Sequence, residues 1–145
     1  MSDPDEASAT RPTVEDRLAI HELIALYGHI ADDRDPARRP DELFAPTIRM
    51  DTRPLGGDLY DGLEAVEARW TDADRVQAVM HHQTNIVLTP VSAERVDYVF
   101  KGLGVGGNGR VGSVRYDGQI VRLESGWRFQ SMNCKPMRPA RREEA

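Results

Sequence analysis

Two adjacent histidines lie in Met80-His81-His82-Gln83-Thr84-Asn85, which runs on into Ile86-Val87-Leu88 and has the composition of a β-strand. Side chains of a strand point alternately to its two faces, so one imidazole must look inward and the other outward. An inward imidazole in a small domain needs a polar partner to offset its lost hydration. The candidate partner is upstream, in Ala31-Asp32-Asp33-Arg34-Asp35. A carboxylate that holds one ring nitrogen leaves the other as a general base for proton abstraction. Alternation alone does not decide which histidine is inner. His81, Gln83 and Asn85 share one face, while Met80, His82, Thr84, Ile86 and Leu88 share a more apolar one. On pattern alone, an exposed or simply packed His81 is the plainer outcome.

Other candidate motifs have bland readings. A catalytic zinc takes three protein ligands, and His21, His29, His81 and His82 show no such spacing, so no metal is expected. Gly104-Val105-Gly106-Gly107-Asn108-Gly109 matches the dinucleotide pattern in letters only. That motif must open a helix, and here a β-rich stretch follows, so a hairpin turn is expected and no cofactor. Cys134 is the only cysteine, which excludes an intrachain disulfide, and it reads as a packing residue.

The elements that position these residues follow from periodicity and punctuation. Thr13-Val14-Glu15-Asp16 has the form of a capping box. Leu18, Ile20, Leu23, Ile24, Tyr27, Ile30 and Ala31 then recur at helical spacing, predicting a helix that ends near Asp32. There the negative end of the helix dipole disfavours Asp32, Asp33 and Asp35, a weak hint of function. A short helix is predicted over 40–44, a strand over 47–53, an extended piece over 58–61, a helix over 62–70 and a polar connection over 72–78. Four β segments follow, at 79–89, 95–104, 110–123 and 127–137, separated by Pro90 with Ser92-Ala93-Glu94, by Gly106-Gly107-Asn108-Gly109 and by Glu124-Ser125-Gly126. Helices first and a meander after give an α+β domain, with long strands that imply a strongly curved sheet around the helices.

Composition narrows the function classes. At 145 residues the chain is expected to form one domain over 13–137, with a disordered segment at 1–12 and a flexible tail at 138–145. A net charge of -5 argues against a nucleic-acid or anionic membrane surface. No apolar run is long enough to span a membrane, and the first residues lack a signal-peptide core, so a cytoplasmic location is expected.

Four motifs in order carry a family resemblance: Tyr27 with Asp32, Asp35 and Leu43-Phe44; His81 with Asn85; Arg115-Tyr116-Asp117 through Val121-Arg122; and Gly126-Trp127-Arg128-Phe129. Together they resemble the SnoaL-like branch of the nuclear transport factor 2-like superfamily, over roughly 15–132. The resemblance implies a cone-shaped α+β barrel, in which a bent mixed sheet wraps the long helix and encloses one apolar pocket. It implies an Asp at Asp32 orienting a His at His81, as in dehydratase and dehydrochlorinase members, and so turns the odd-numbered face inward. Asp33 is the alternative partner. Tyr27 matches a tyrosine that polarises a substrate oxygen in some dehydratases. Asn85, Tyr98, Tyr116, Trp127 and Met132 are expected to face the substrate. The dehydrochlorinase-type arginine of the last strand falls at Met132, and a lysine position falls near the apolar Ile30, which speaks against halide elimination in that manner.

The expectation is a cofactor-independent lyase, isomerase or cyclase, dehydratase-type first. It would act by His-Asp proton transfer on an apolar polyketide, steroid, terpenoid or aromatic substrate, with Tyr27 or Asn85 donating to the developing oxyanion. The competing class is a non-catalytic ligand-binding or assembly module of the same fold, such as a dioxygenase β subunit. The resemblance favours a homodimer or homotrimer, with His82 structural or at a subunit contact.

Overall fold

The computed structural model describes residues 11–33, 40–72 and 78–137. All but residues 11–12 of the expected disordered start, the C-terminal tail, Asp35 and most of the 72–78 connection lie outside the described residues.

Helix α1 (Val14–Asp33) opens as its capping box predicts. The Asp16 N–H donates to Thr13 Oγ1 at 3.1 Å, and the Thr13 N–H donates to Asp16 Oδ2 at 2.8 Å. Its buried face runs from Ile20 through Leu23, Ile24, Tyr27 and Gly28 to Ile30 and Ala31. Leu18, expected on that face, is 61% exposed, because it sits two residues before Ile20 and so on the other side of the helix.

The expected short helix at 40–44 is a single 3-10 turn, Pro40–Glu42, and the first strand starts at once. Strand β1 (Phe44–Asp51) thus begins and ends earlier than predicted, because Phe44 already pairs in parallel with Phe129. A 3-10 turn (Arg53–Leu55), β2 (Leu59–Asp61) and helix α2 (Leu63–Trp70) follow. The meander is β3 (Met80–Ser92), β4 (Arg95–Val105), β5 (Val111–Leu123) and β6 (Gly126–Pro136).

These strands form one open six-stranded sheet in the order β2-β1-β6-β5-β4-β3, parallel only between β1 and β6. β3 runs on through Pro90, where a turn was expected. It tolerates the proline because it is an edge strand, bonded to β4 alone, so the missing N–H breaks no ladder on its free side. The curved sheet wraps α1, which packs on both β3 and β6. Ile20, Ile24, Phe100, Ile120 and Phe129 fill the space between them and are fully buried.

Besides the register shifts between Phe44 and Arg49 in β1 and between Pro90 and Ser92 in β3, two bulges shape the inward rows of β3 and β6. In β3 the register shifts between Thr84 and Val87, where Asn85 adopts φ 53°, a left-handed conformation that asparagine tolerates. In β6 the shift places Gln119 opposite Ser131 but Ile120 opposite Phe129, leaving Gln130 as the surplus residue. Bulges of this kind bend a sheet and add twist. Gly118, at φ 155°, allows the second one: a Cβ there would lie 2.1 Å from the Ser131 carbonyl oxygen.

The outward face of the meander is partly apolar. Met80, Leu103 and Val111 are exposed there, and His82 stands beside Leu103 in the β3–β4 ladder. Among the described residues no helix is long and apolar enough to cross a membrane.

Candidate active site

Asp32, on the last turn of α1, faces the start of β3. Its Oδ1 lies 2.6 Å from His81 Nδ1, and its Oδ2 accepts the His81 backbone N–H at 3.1 Å. One carboxylate therefore holds both the ring and the main chain of the same residue. The His81 side chain is 14% exposed and that of Asp32 27%. A carboxylate on Nδ1 fixes the proton there and leaves Nε2 as the basic atom of the ring. It is Asp32 and not its neighbour Asp33 that meets His81.

His81 forms part of the wall of a cavity of about 920 Å³. The sequence of β4 explains why the space opens there. Its inward positions are Val96, Tyr98 and Phe100, which fill the core, then Gly102, whose missing side chain makes room for Gln83 and Tyr116, and Gly104, which lines the cavity. Gly104 pairs with His81 and Gly102 with Gln83. The inner face of β4 is therefore bare where the imidazole stands. Helix α1 contributes Tyr27 to the wall, β5 contributes Tyr116, β6 Cys134, β1 Met50 and α2 Trp70. Tyr27 packs edge-on against Tyr116, with ring centroids 5.7 Å apart, and against Phe129 and Phe44. Tyr116 stacks on Phe100 at 4.7 Å. These contacts fix the two phenols.

Burial pushes the hydroxyls of Tyr27 and Tyr116 well above the ordinary phenol range, and that of Tyr98 likewise. Neutral phenols donate hydrogen bonds; they do not act as bases near neutrality. Burial also pushes the Cys134 thiol up to about 12, with Asp51 and Asp117 adding to the effect, so the thiol is not a nucleophile at ordinary pH. Among the described residues no three His, Cys, Asp or Glu side chains converge as a metal ligand set.

Of the residues expected from sequence, Asp32, His81, Tyr27 and Tyr116 come together at this cavity. The other four lie elsewhere. Asn85 is exposed, since its left-handed backbone turns it off the inward row of His81 and Gln83. Tyr98 is buried beside the β5–β6 bulge, and its hydroxyl donates to the Ser131 carbonyl at 2.8 Å. Trp127 lies at the start of β6, where its indole N–H donates to Asp16 Oδ1 at 3.2 Å and Arg122 covers its ring. Met132 is fully buried in the core, next to the bulge that moves the inward row of β6 from Phe129 to Met132.

The profile of the SnoaL-like domain family matches residues 12–133. The chain belongs to this family. No curated protein matches the chain. Solved structures are similar to this SnoaL-like domain across most of its length. A candidate aromatic ring hydroxylase from Novosphingobium aromaticivorans DSM shares 24% identity, with a TM-score of 0.72 over 88% of this chain and 92% of that one. A candidate scytalone dehydratase from N. aromaticivorans DSM 12444 shares 17% identity, with a TM-score of 0.72 over 84% of each chain. The hexachlorocyclohexane dehydrochlorinase LinA-type3 from Novosphingobium barchaimii LL02 shares 20%, with a TM-score of 0.66 over 83% and 85%. At these identities the likeness shows the fold, a helix pair on a curved mixed sheet.

Sequence reasoning missed several walls of the SnoaL-like cavity. Cys134 was read as a packing residue, which it also is. The signal available was Gly104, opposite His81 on a strand that is bulky on the same face at Val96, Tyr98 and Phe100. Arg69 of α2 and Arg110 of the β4–β5 turn also line the cavity, and no motif pointed to them.

Proposed function

We propose that this SnoaL-like domain is a cofactor-independent lyase of the dehydratase type, acting by proton transfer on a mainly apolar substrate. Its family membership and its dehydratase-named and dehydrochlorinase-named structural neighbours support the lyase class. The observation that carries the reading is the 2.6 Å contact between Asp32 and a His81 that stands in the cavity wall.

In this reading His81 Nε2 takes a proton from a carbon next to a carbonyl, and Asp32 stabilises the imidazolium that forms. The electron pair moves toward the carbonyl oxygen, where Tyr27 or Tyr116 donates a hydrogen bond. The enolate then expels hydroxide from the β-carbon, and the imidazolium returns its proton to the departing oxygen as water leaves. Double-bond shift or ring closure would use the same base with a different second step. An aromatic wall of Tyr27, Trp70 and Tyr116 suits a flat phenolic, polycyclic or terpenoid body.

The test is His81→Ala, assayed for water loss over a panel of cyclic β-hydroxy ketones that the wild type turns over. Turnover is expected to fall about a thousandfold, within the range for loss of a general base and its positioning, with the thermal midpoint little changed. Retained turnover in a folded His81→Ala protein would sink the proposal.

Assembly as a homodimer or homotrimer belongs to the same reading. The exposed apolar patch of Met80, Leu103 and Val111 beside His82 supports it. Leu103→Asp should then lower the sedimentation coefficient to that of one chain.

A further inference from the structure

The chain as a whole is acidic, with 24 Asp and Glu against 19 Lys and Arg. The cavity wall reverses that balance. Among the described residues that line it, the only formal charges are Arg69 and Arg110, and no carboxylate shares the wall with them. Asp32 stands behind His81, engaged with its ring and main chain. The two guanidinium groups come from different elements, Arg69 from the last turn of α2 and Arg110 from the end of the β4–β5 turn.

Neither arginine is strongly committed elsewhere. The Arg69 side chain is 35% exposed and reaches Asp72 only at 3.7 Å, a long contact on the same helix end. Arg110 is exposed, and no ion pair involves it among the described residues. Its main chain is held instead: its N–H donates to Asn108 Oδ1 at 3.0 Å and its carbonyl accepts the Gly106 N–H at 2.8 Å. The base of that side chain is therefore fixed, while its head is free to turn. Space for a ligand group beside it is provided by glycines. Gly112 has nothing within 4 Å of where a Cβ would stand, and Gly107 only a Val79 methyl at 3.8 Å.

We infer that the cavity takes an apolar molecule bearing an oxyanion, a carboxylate foremost, with Arg69 and Arg110 gripping that group and the aromatic wall holding the body. A guanidinium binds a planar carboxylate through two parallel hydrogen bonds, which gives orientation as well as affinity. Anchoring the charged end among the arginines would present a fixed carbon of the body to His81. The inference rests on the reading of the cavity as the substrate site, but it does not require His81 to be a base.

Two dyes of matched shape test it without any turnover: 8-anilinonaphthalene-1-sulfonate, which carries an oxyanion, and its uncharged parent N-phenyl-1-naphthylamine. Binding is followed by dye fluorescence in wild type, Arg69→Met, Arg110→Met, the double variant and Arg95→Met. Arg95 begins β4 at the other end of that strand and serves as the control for general loss of charge. The sulfonate should bind about tenfold more tightly than the neutral dye, the factor that one charge-assisted contact supplies. Each cavity variant should reduce that preference, the double variant should abolish it, and Arg95→Met should keep it. The neutral dye should bind all five proteins alike. Equal binding of the two dyes to wild type, absence of binding by either, a preference that survives the double variant, or an equal loss in Arg95→Met would each overturn the inference. A dye preference that follows the arginines, with turnover retained in His81→Ala, would leave the anion site standing and remove the base.

Discussion

Gly28 lies against the main chain of His81, so close that a Cβ on it would stand 3.1 Å from the His81 carbonyl oxygen. Gly28 is one turn before Asp32 on α1, so this contact sets how near the helix end comes to the strand. The hydrogen bonds from Asp32 to His81 depend on that approach. A glycine in a helix interior costs about 1 kcal/mol relative to alanine, so its use here answers to packing.

Gly28→Ala should therefore show opposed effects. Its helix propensity gain and its steric push on the strand roughly cancel in stability, with a net change expected within about 1 kcal/mol. Activity should fall further, about tenfold or more, because a displacement of a few tenths of an ångström spoils the Asp32–His81 geometry. Urea unfolding beside steady-state kinetics checks this. Equal losses in both would mean that Gly28 serves packing alone.

Tyr27 and Tyr98 are both buried phenols, and the structure gives them different work. Tyr98→Phe removes a hydrogen bond to the Ser131 carbonyl and should cost about 1 kcal/mol of stability with turnover unchanged. Tyr27→Phe breaks a hydrogen bond with the Tyr116 hydroxyl and should cost a similar amount, but it should also lower kcat about ten- to a hundredfold, as expected for one donor to a developing oxyanion. Thermal melts and kinetics on the two variants separate these outcomes.

Asp16 ties the start of α1 to the end of the sheet. It accepts from the Thr13 N–H, from the Trp127 indole and from Arg122, while its side chain is only 14% exposed. Asp16→Ala should cost about 2 kcal/mol, combining a lost cap with a buried indole N–H left without an acceptor. Denaturant melts should show the loss, and Trp127 fluorescence should report a changed environment. Turnover per folded molecule should stay the same, since this end lies away from His81.

Cys134 gives a pH signature. Its thiol is pushed up to about 12 by burial, from an ordinary value of 9.0. The unfolded chain releases the proton first, so this stability is complete below about pH 9 and is lost as pH rises toward 12. Tyr27 and Tyr116 act in the same direction above the ordinary phenol range. The urea midpoint should therefore fall more steeply above pH 9 in wild type than in Cys134→Ala. At pH 8 the folded thiol should react with a disulfide reagent at least about a hundredfold more slowly than the unfolded one, given its burial and protonation. Equal pH slopes would remove the thiol from the account.

The sequence made the fold legible because its elements are well punctuated. Thr13 and Asp16 mark the start of α1, and Glu124-Ser125-Gly126 marks the last turn. The pairing of Asp32 with His81 was legible only through the family likeness, since alternation alone favoured an exposed or simply packed His81. Tyr116 followed from the same likeness. Asn85, Tyr98, Trp127 and Met132 did not fall where the family likeness put them. A likeness carries no bulges, and each bulge moves the inward row by one. Asn85 leaves the row at the first bulge. Tyr98 gives its hydroxyl to a carbonyl at the second. Met132 enters the core because of it, and Trp127 sits before it, at the helix-capping end. The arginines of the cavity were invisible for a different reason. Arg69 and Arg110 lie in separate elements, and only the folded chain brings both to one cavity.

The bulge at Asn85 behaves like a frameshift in the strand. His81 and Gln83 are read in one frame, Ile86 and Leu88 in the other, and excising the single surplus residue would merge them without moving any inward side chain outward. The same holds for Gln130, between Phe129 and Met132. Gaining or losing one residue at either place would change how sharply the wall bends, while the chemical groups on it stay the same. A scaffold built in this way can reshape the room around a fixed base by altering chain length, with no substitution among the residues that touch the occupant.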